Sequence, residues 1–151
     1  MSKDNFVLQI KASYNQFTRA EKKVADYVLD NQEKVLYMSI TDLADACEVG
    51  DASVYRFCRT MKLQGYQEFK MKLSLSQAAS EGFGTEAAKE GTRIGFEELS
   101  LHRMEADVMT ENRASLRILE KCGYKKEGYF REYFRINGKW EDHIHMAAIR
   151  A

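Results

Sequence analysis

Asp42-Leu43-Ala44-Asp45-Ala46-Cys47-Glu48-Val49-Gly50-Asp51-Ala52-Ser53-Val54-Tyr55-Arg56-Phe57 is the stretch that decides the fold of the first half of this chain. It reads as two short helices joined by a tight turn. Ser39 caps a helix from Ile40 to Cys47, and Asp42 in its first turn favours the positive helix end. Asp51 is expected to cap the next helix, from Ala52 to Met61. Ala44 is small where the two helices must cross closely, Val49 packs in the turn, and Val54 and Phe57 point back into a core. That leaves Ser53, Tyr55, Arg56 and Arg59 on the outer side of the second helix, with Lys62 as a flanking phosphate contact. A helix of this kind fits the major groove of duplex DNA, where arginine binds guanine bidentately and serine or arginine serves phosphates. The same pattern also describes a plain helical hairpin whose arginines are merely solvated. Glu48 counts against the DNA reading, because this turn position favours glycine in a left-handed conformation.

Working outward, Thr18 precedes Glu21 at capping-box spacing and predicts a helix from Arg19 to Asp30, with Val24, Tyr27, Val28 and Leu29 on one face. A last helix is expected from Tyr66 to Ser76. Residues 76–84 are small and contain glycine, and read as a linker. Beyond them the character changes. Thr85–Leu99 reads as a helix weakened by Gly91 and Gly95. Leu101–Met109 alternates as a strand does. Asn112 caps a helix through Lys121 that stops at Gly123. Gly128–Arg135 and Lys139–Ile149 flank Asn137-Gly138, the strongest short signal for a β-hairpin, because both turn residues need positive φ.

Composition bounds the function. The 151 residues allow one ordinary domain or two small ones. No apolar run approaches the roughly 18–20 residues of a membrane helix, and no signal peptide is visible behind Met1-Ser2-Lys3-Asp4-Asn5. Cys47, Cys58 and Cys122 are widely spaced and read as free thiols in a reducing cytosol. Formal net charge is zero, so any affinity for nucleic acid has to come from a local patch. Residues 1–78 carry 11 Lys/Arg against 10 Asp/Glu, an excess of a single positive charge.

Residues 8–75 resemble the N-terminal domain of RpiR-type bacterial transcriptional regulators. The matching stretches are Phe17-Thr18-Arg19-Ala20-Glu21-Lys22-Lys23-Val24-Ala25-Asp26-Tyr27, Ser39-Ile40-Thr41-Asp42-Leu43-Ala44, Ala52-Ser53-Val54-Tyr55-Arg56-Phe57-Cys58-Arg59 and Gly65-Tyr66-Gln67-Glu68-Phe69-Lys70. The resemblance implies a DNA-binding helix-turn-helix. The family's usual sugar-isomerase-type sensor domain has no counterpart here, so a sensor role does not carry over.

Residues 82–151 resemble a different family, the C-terminal half of GNAT-superfamily N-acetyltransferases, with the ribosomal-protein N-acetyltransferases most alike. The carrying residues are Gly82-Phe83-Gly84-Thr85-Glu86-Ala87, Gly95-Phe96-Glu97-Glu98-Leu99, Leu101-His102-Arg103-Met104-Glu105-Ala106, Glu111-Asn112-Arg113-Ala114-Ser115, Leu119-Glu120-Lys121-Cys122-Gly123-Tyr124 and Arg135-Ile136-Asn137-Gly138-Lys139-Trp140. The resemblance implies a pyrophosphate loop at Gly82, Gly84 and Thr85, opening a helix whose N–H groups face the phosphates. It also implies that Asn112 contacts coenzyme A and that Ser115 stands near the leaving thiolate. Asn112 is equally read as a helix cap, and Ser115 is better read as a helix-surface serine. The Arg/Gln that should precede the loop is replaced by Ala79. Residues 1–78 also occupy the place of the first four strands, including the one that flanks the pantetheine arm.

Other constellations read as structure. Glu105 and Asp107 fit a solvated strand face better than general bases. His143 and His145 share a strand face with no third metal ligand in view, and read as exposed polar residues. Tyr124, Tyr129, Phe130, Tyr133 and Phe134 read as core and cross-strand packing.

The expectation is therefore a two-domain chain, α then α/β. Residues 1–78 form an all-helical helix-turn-helix bundle, and residues 79–151 a truncated GNAT-like α-β-α-β-β unit with a small mixed sheet. The expected partners are duplex DNA and a second copy, paired through the exposed edge of strand 101–109. Catalytic residues, metal and a membrane segment are not expected, acetyl-CoA binding is weak at most, and the location is cytoplasmic. Two alternatives stand beside it: an acetyl-CoA-dependent N-acetyltransferase fragment with partial coenzyme A binding, and a folded chimera with neither activity.

Overall fold

Helix-end chemistry lays out the first half of the computed structural model, which describes residues 6–80 and 84–150. Helix α1 (Phe6–Ala12) leads through a short 3-10 turn (Tyr14–Gln16) to α2 (Arg19–Asp30), where the Thr18 side chain accepts from the Glu21 N–H. After α3 (Gln32–Val35) comes α4 (Ile40–Cys47), closed at its start by a complete Ser39–Asp42 capping box. Helix α5 spans Asp51–Thr60. Its cap is Gly50, not Asp51 as expected; Asp51 is the first helical residue, and its carboxylate accepts from Thr41 Oγ1 at 2.9 Å. A residue in the first turn meets the positive helix end as well as a cap does, which is why the sequence left the two positions hard to tell apart.

Helices α4 and α5 end alike. Val49 N–H bonds back to the Ala44 carbonyl and Glu48 N–H to that of Asp45; Leu63 and Lys62 do the same to Cys58 and Arg59. These are Schellman closures, and each puts one residue in the left-handed region: Glu48 at φ 57° and Lys62 at φ 65°. A non-glycine residue there costs about 1–2 kcal/mol, and Glu48 also sets a negative charge at the negative end of α4. Glu48→Gly is therefore expected to stabilise the protein by about 1 kcal/mol, after allowing for the looser unfolded chain. For a chain of this size that is a rise in Tm of roughly 2–4 °C; an unchanged or lower Tm would count against the closure.

The core of this half gathers Ile10, Phe17, Val24, Val28, Leu43, Ala44, Val54, Phe57 and Cys58, with Val49 packed against it. Burying side chains of this kind stabilises by about 1.5–3 kcal/mol each for the larger ones. Helix α6 (Tyr66–Ser80) supplies Tyr66, Phe69 and Leu73 to the same cluster.

Helix α6 is longer than expected. Residues 76–80, read from sequence as linker, are its last turns. Ser76 Oγ accepts from the Phe6 N–H at 3.0 Å, Ser74 Oγ donates to the Ala87 carbonyl at 2.6 Å, and Ala78 is fully buried. The small residues that suggested a flexible joint are there because neighbours approach closely.

The second half follows the expected order. Helix α7 (Thr85–Arg93) runs into a π-helical turn (Ile94–Glu98), then β1 (Arg103–Met109), α8 (Arg113–Lys121), β2 (Lys125–Ile136) and β3 (Lys139–Ile149). The α-helix expected to reach Leu99 gives way after Arg93. A Cβ on Gly91 would stand 2.6 Å from Ser74 Cβ, and one on Gly95 2.6 Å from Met104 Cε. Both glycines are thus where α6 and β1 press on this segment.

The strand order is β1-β3-β2, and every pairing is antiparallel where a mixed sheet was expected. β1 and β2 run the same way, but the hairpin strand β3 lies between them. Asn137 and Gly138 take φ 51° and 79°, the turn their dipeptide predicts. Met104, Ala106 and Val108 of β1 join Met146 and Ala148 of β3, Leu116 and Leu119 of α8, and Met71, Leu75 and Ala78 of α6 in a second core.

Among the described residues no helix is long and apolar enough to cross a membrane.

Candidate nucleic-acid interface

α5 presents its outer face through Tyr55, Arg56 and Arg59, all exposed, while Val54, Phe57 and Cys58 are fully buried beneath them. Lys62 is exposed just past the helix end, so Arg56, Arg59 and Lys62 make a stripe at three-residue spacing. Ser53 departs from the expected outer position. It is only 8% exposed, because it lies one helical turn before Phe57 and shares part of that face. Its hydroxyl accepts from Arg56 Nη2 at 3.2 Å, so it orients Arg56.

Several supporting contacts escaped the sequence. Arg59 Nη1 donates to Gln64 Oε1 at 3.5 Å, Thr41 reaches Asp51 across the two helix starts, and the buried carboxylate of Glu21 accepts from Thr60 Oγ1 at 2.8 Å and from Thr18 Oγ1 at 3.0 Å. The Glu21–Thr60 bond pins the end of α5 to α2. In sequence Glu21 showed only as half of a capping box, and no spacing rule links it to a residue 39 positions on. Burial pushes the Cys47 and Cys58 thiols up to about 11 and about 12, so neither is a thiolate at neutral pH.

The residues assigned to coenzyme A are placed differently. Gly82 lies outside the described residues. Gly84 caps α7 in open space, and Thr85 begins that helix. Asn112 caps α8, its Oδ1 accepting from the Ser115 N–H at 3.1 Å and its Nδ2 donating to the Ala79 carbonyl at 3.4 Å. Ser115 is not on the helix surface as expected. It is 1% exposed, and its hydroxyl has no partner among the described residues. Arg93 is committed to Glu90 at 2.7 Å, Glu98 at 3.0 Å and Glu97 at 3.4 Å. A concavity of about 280 Å³ between α7 and α8 is lined by Lys89, Thr92, Phe96 and Cys122, and none of Gly84, Thr85, Asn112 and Ser115 borders it.

The histidines and aromatics also need revision. His143 is 2% exposed beneath the Phe134 ring, 4.6 Å away between centroids, and His145 Nδ1 meets Asp107 Oδ1 at 2.7 Å. The pairing irregularity between Phe130 and Phe134 brings these rings over β3. Tyr124 is core, whereas Tyr129 at 57% and Phe130 at 36% exposure are surface residues.

Residues 4–80 match the family model described as "Helix-turn-helix domain, rpiR family". Among curated proteins, the chain is 44% identical over 69 residues to an uncharacterized HTH-type transcriptional regulator of Caldanaerobacter subterraneus subsp. tengcongensis, covering 46% of this chain and 24% of that protein. It is 37% identical over 86 residues to the HTH-type transcriptional regulator HexR of Pseudomonas aeruginosa, covering 57% and 30%. It is also 48% identical over 69 residues to the probable N-acetyltransferase YjcK of Bacillus subtilis, covering 46% and 38%. The chain thus spans well under half the length of each of these relatives.

Proposed function

The chain belongs to the rpiR helix-turn-helix family, and from that premise we propose that it binds duplex DNA through α5, joined to a GNAT-like half that is not catalytic. The observation that carries the reading is the α5 surface itself. Arg56, Arg59 and Lys62 stand exposed in one stripe beside Tyr55, over a helix face that is otherwise fully buried.

The two assignments divide the chain at about residue 78, with unrelated families on either side. A cytoplasmic location is part of the same proposal. Two copies per duplex belong to the proposal: β1 ends the sheet with no strand partner on its outer side among the described residues, and such an edge is open to pairing with a second chain.

With a single excess positive charge in residues 1–78, binding by one copy falls near the ~10⁻⁴–10⁻⁶ M of non-specific association. If the three cations of the stripe each displace a counterion, affinity drops about 40-fold between 50 and 200 mM salt. Sedimentation of the whole chain with a short randomised duplex, across that salt range, reads binding and copy number together. Salt-independent binding, or no binding at 50 mM, contradicts the reading.

Acetyl transfer is expected to be absent. Such catalysis depends on holding thioester and amine together, and here Asn112 is engaged at both ends of its amide while Ser115 is buried. Incubation with acetyl-CoA and amine peptides should match an enzyme-free control; turnover above it would favour the acetyltransferase reading.

A further inference from the structure

Helix α6 belongs to both cores. Phe69 and Leu73 pack with the helices of the DNA-binding half, while Met71, Leu75 and Ala78 pack with β1 and α8. Its hydrogen bonds divide the same way. Ser76 Oγ takes the Phe6 N–H on one side; Ser74 Oγ donates to the Ala87 carbonyl, and the Ala79 carbonyl accepts from Asn112, on the other. At Gly91 the crossing of α6 and α7 leaves no room for a side chain.

This helix also stands at the chain position where the GNAT resemblance calls for the strand that flanks the pantetheine arm. α6 packs directly against β1. An arm held between two strands needs backbone N–H and C=O groups pointing at it from both sides, and a helix spends those groups internally. The donors that remain do not fit the cofactor either: Ser115 is sealed at 1% exposure, and Asn112 is tied to α6 itself.

We propose that α6 is a shared structural helix that stands in place of the strand a coenzyme A site would need, leaves the second half without such a site, and makes the two halves a single cooperative unit, so that the GNAT-like half serves as the base completing the fold of the DNA-binding half. The inference stands whether or not α5 binds DNA. Apolar side chains on two faces of one rigid helix cannot lose one core without exposing part of the other, and local opening then costs as much in either half.

The test uses the full chain. Ile94→Val trims a fully buried side chain in the second core, and Val28→Ala trims one in the first. Urea unfolding is followed by fluorescence of Trp140, the only tryptophan, which lies in β3, and by amide hydrogen exchange in α2 and α5. Each variant is expected to lower both midpoints by the same amount, although each substitution sits in one half only. About 1 mM coenzyme A should leave the midpoints of the wild-type chain unmoved, since a ligand that binds the native state raises them. A variant that shifts only the probe of its own half overturns the single unit. A midpoint raised by coenzyme A overturns the loss of the coenzyme A site.

Discussion

Phe69→Ala is expected to cost about 3–5 kcal/mol, the range for emptying a buried aromatic site. Phe69 is fully buried on α6 and is the hub of an aromatic cluster. Its ring meets Phe6 and Phe57 edge-on, each at 5.5 Å between centroids, and stacks with Tyr66 at 6.2 Å. Three helices, α1, α5 and α6, therefore lose a common contact at once, and the cavity left behind cannot close without moving α5. A loss of this size is a large part of the 5–15 kcal/mol that holds a domain together. With a urea slope near 2 kcal/mol/M the midpoint falls by roughly 2 M. Phe130→Ala is the internal comparison, because Phe130 is 36% exposed on β2, where its ring meets those of Tyr133 and His145. It is expected to cost about 1 kcal/mol or less. Equal costs for the two phenylalanines would contradict the burial that separates them.

The second large effect falls on binding. Arg56 is exposed, so truncation leaves the fold intact, and its guanidinium is held by the Ser53 hydroxyl at 3.2 Å. Arg56→Ala is expected to weaken binding roughly 5- to 150-fold if it meets a base edge bidentately, equivalent to about 1–3 kcal/mol. The size separates base from phosphate contact: a phosphate contact is weaker, spread evenly over sequences, and lowers the salt slope by about one. Arg59→Ala should resemble a phosphate contact more, because Arg59 lies at the far end of the helix and is partly held by Gln64. Thermal unfolding of both variants should overlay the wild type, and a loss of Tm would assign them to the fold instead.

The sequence was most legible where a local rule decides the structure. Thr18–Glu21, Ser39–Asp42 and Asn112 mark helix starts, and all three make the cap bond their spacing implies. Asn137-Gly138 marks the hairpin for the same reason. Legibility failed where tertiary contacts override a local signal. Ser76, Ala78 and Ala79 look like linker composition and instead belong to α6, where they meet neighbouring segments. Glu48 argued against a turn that its left-handed backbone nevertheless makes, at a cost the surrounding core sustains. Ser53 was expected to face outward because Val54 and Phe57 were given the inner face, yet it lies one turn before Phe57 and shares its burial. At the site, Tyr55, Arg56 and Arg59 could be placed by helical periodicity alone. Ser53, Gln64 and the Glu21–Thr60 bond could not, because each depends on how separate segments meet.

Whether the outer face of α5 holds duplex DNA is tested by titrating a labelled randomised duplex pool at low salt with the wild-type chain and with an Arg56→Ala, Arg59→Ala double variant. The wild type is expected to bind with an affinity that weakens as salt rises, and the double variant to lose most of that affinity while still unfolding at the wild-type temperature. Equal binding by the two proteins would move the interface away from α5, and no binding by the wild-type chain would contradict the claim outright.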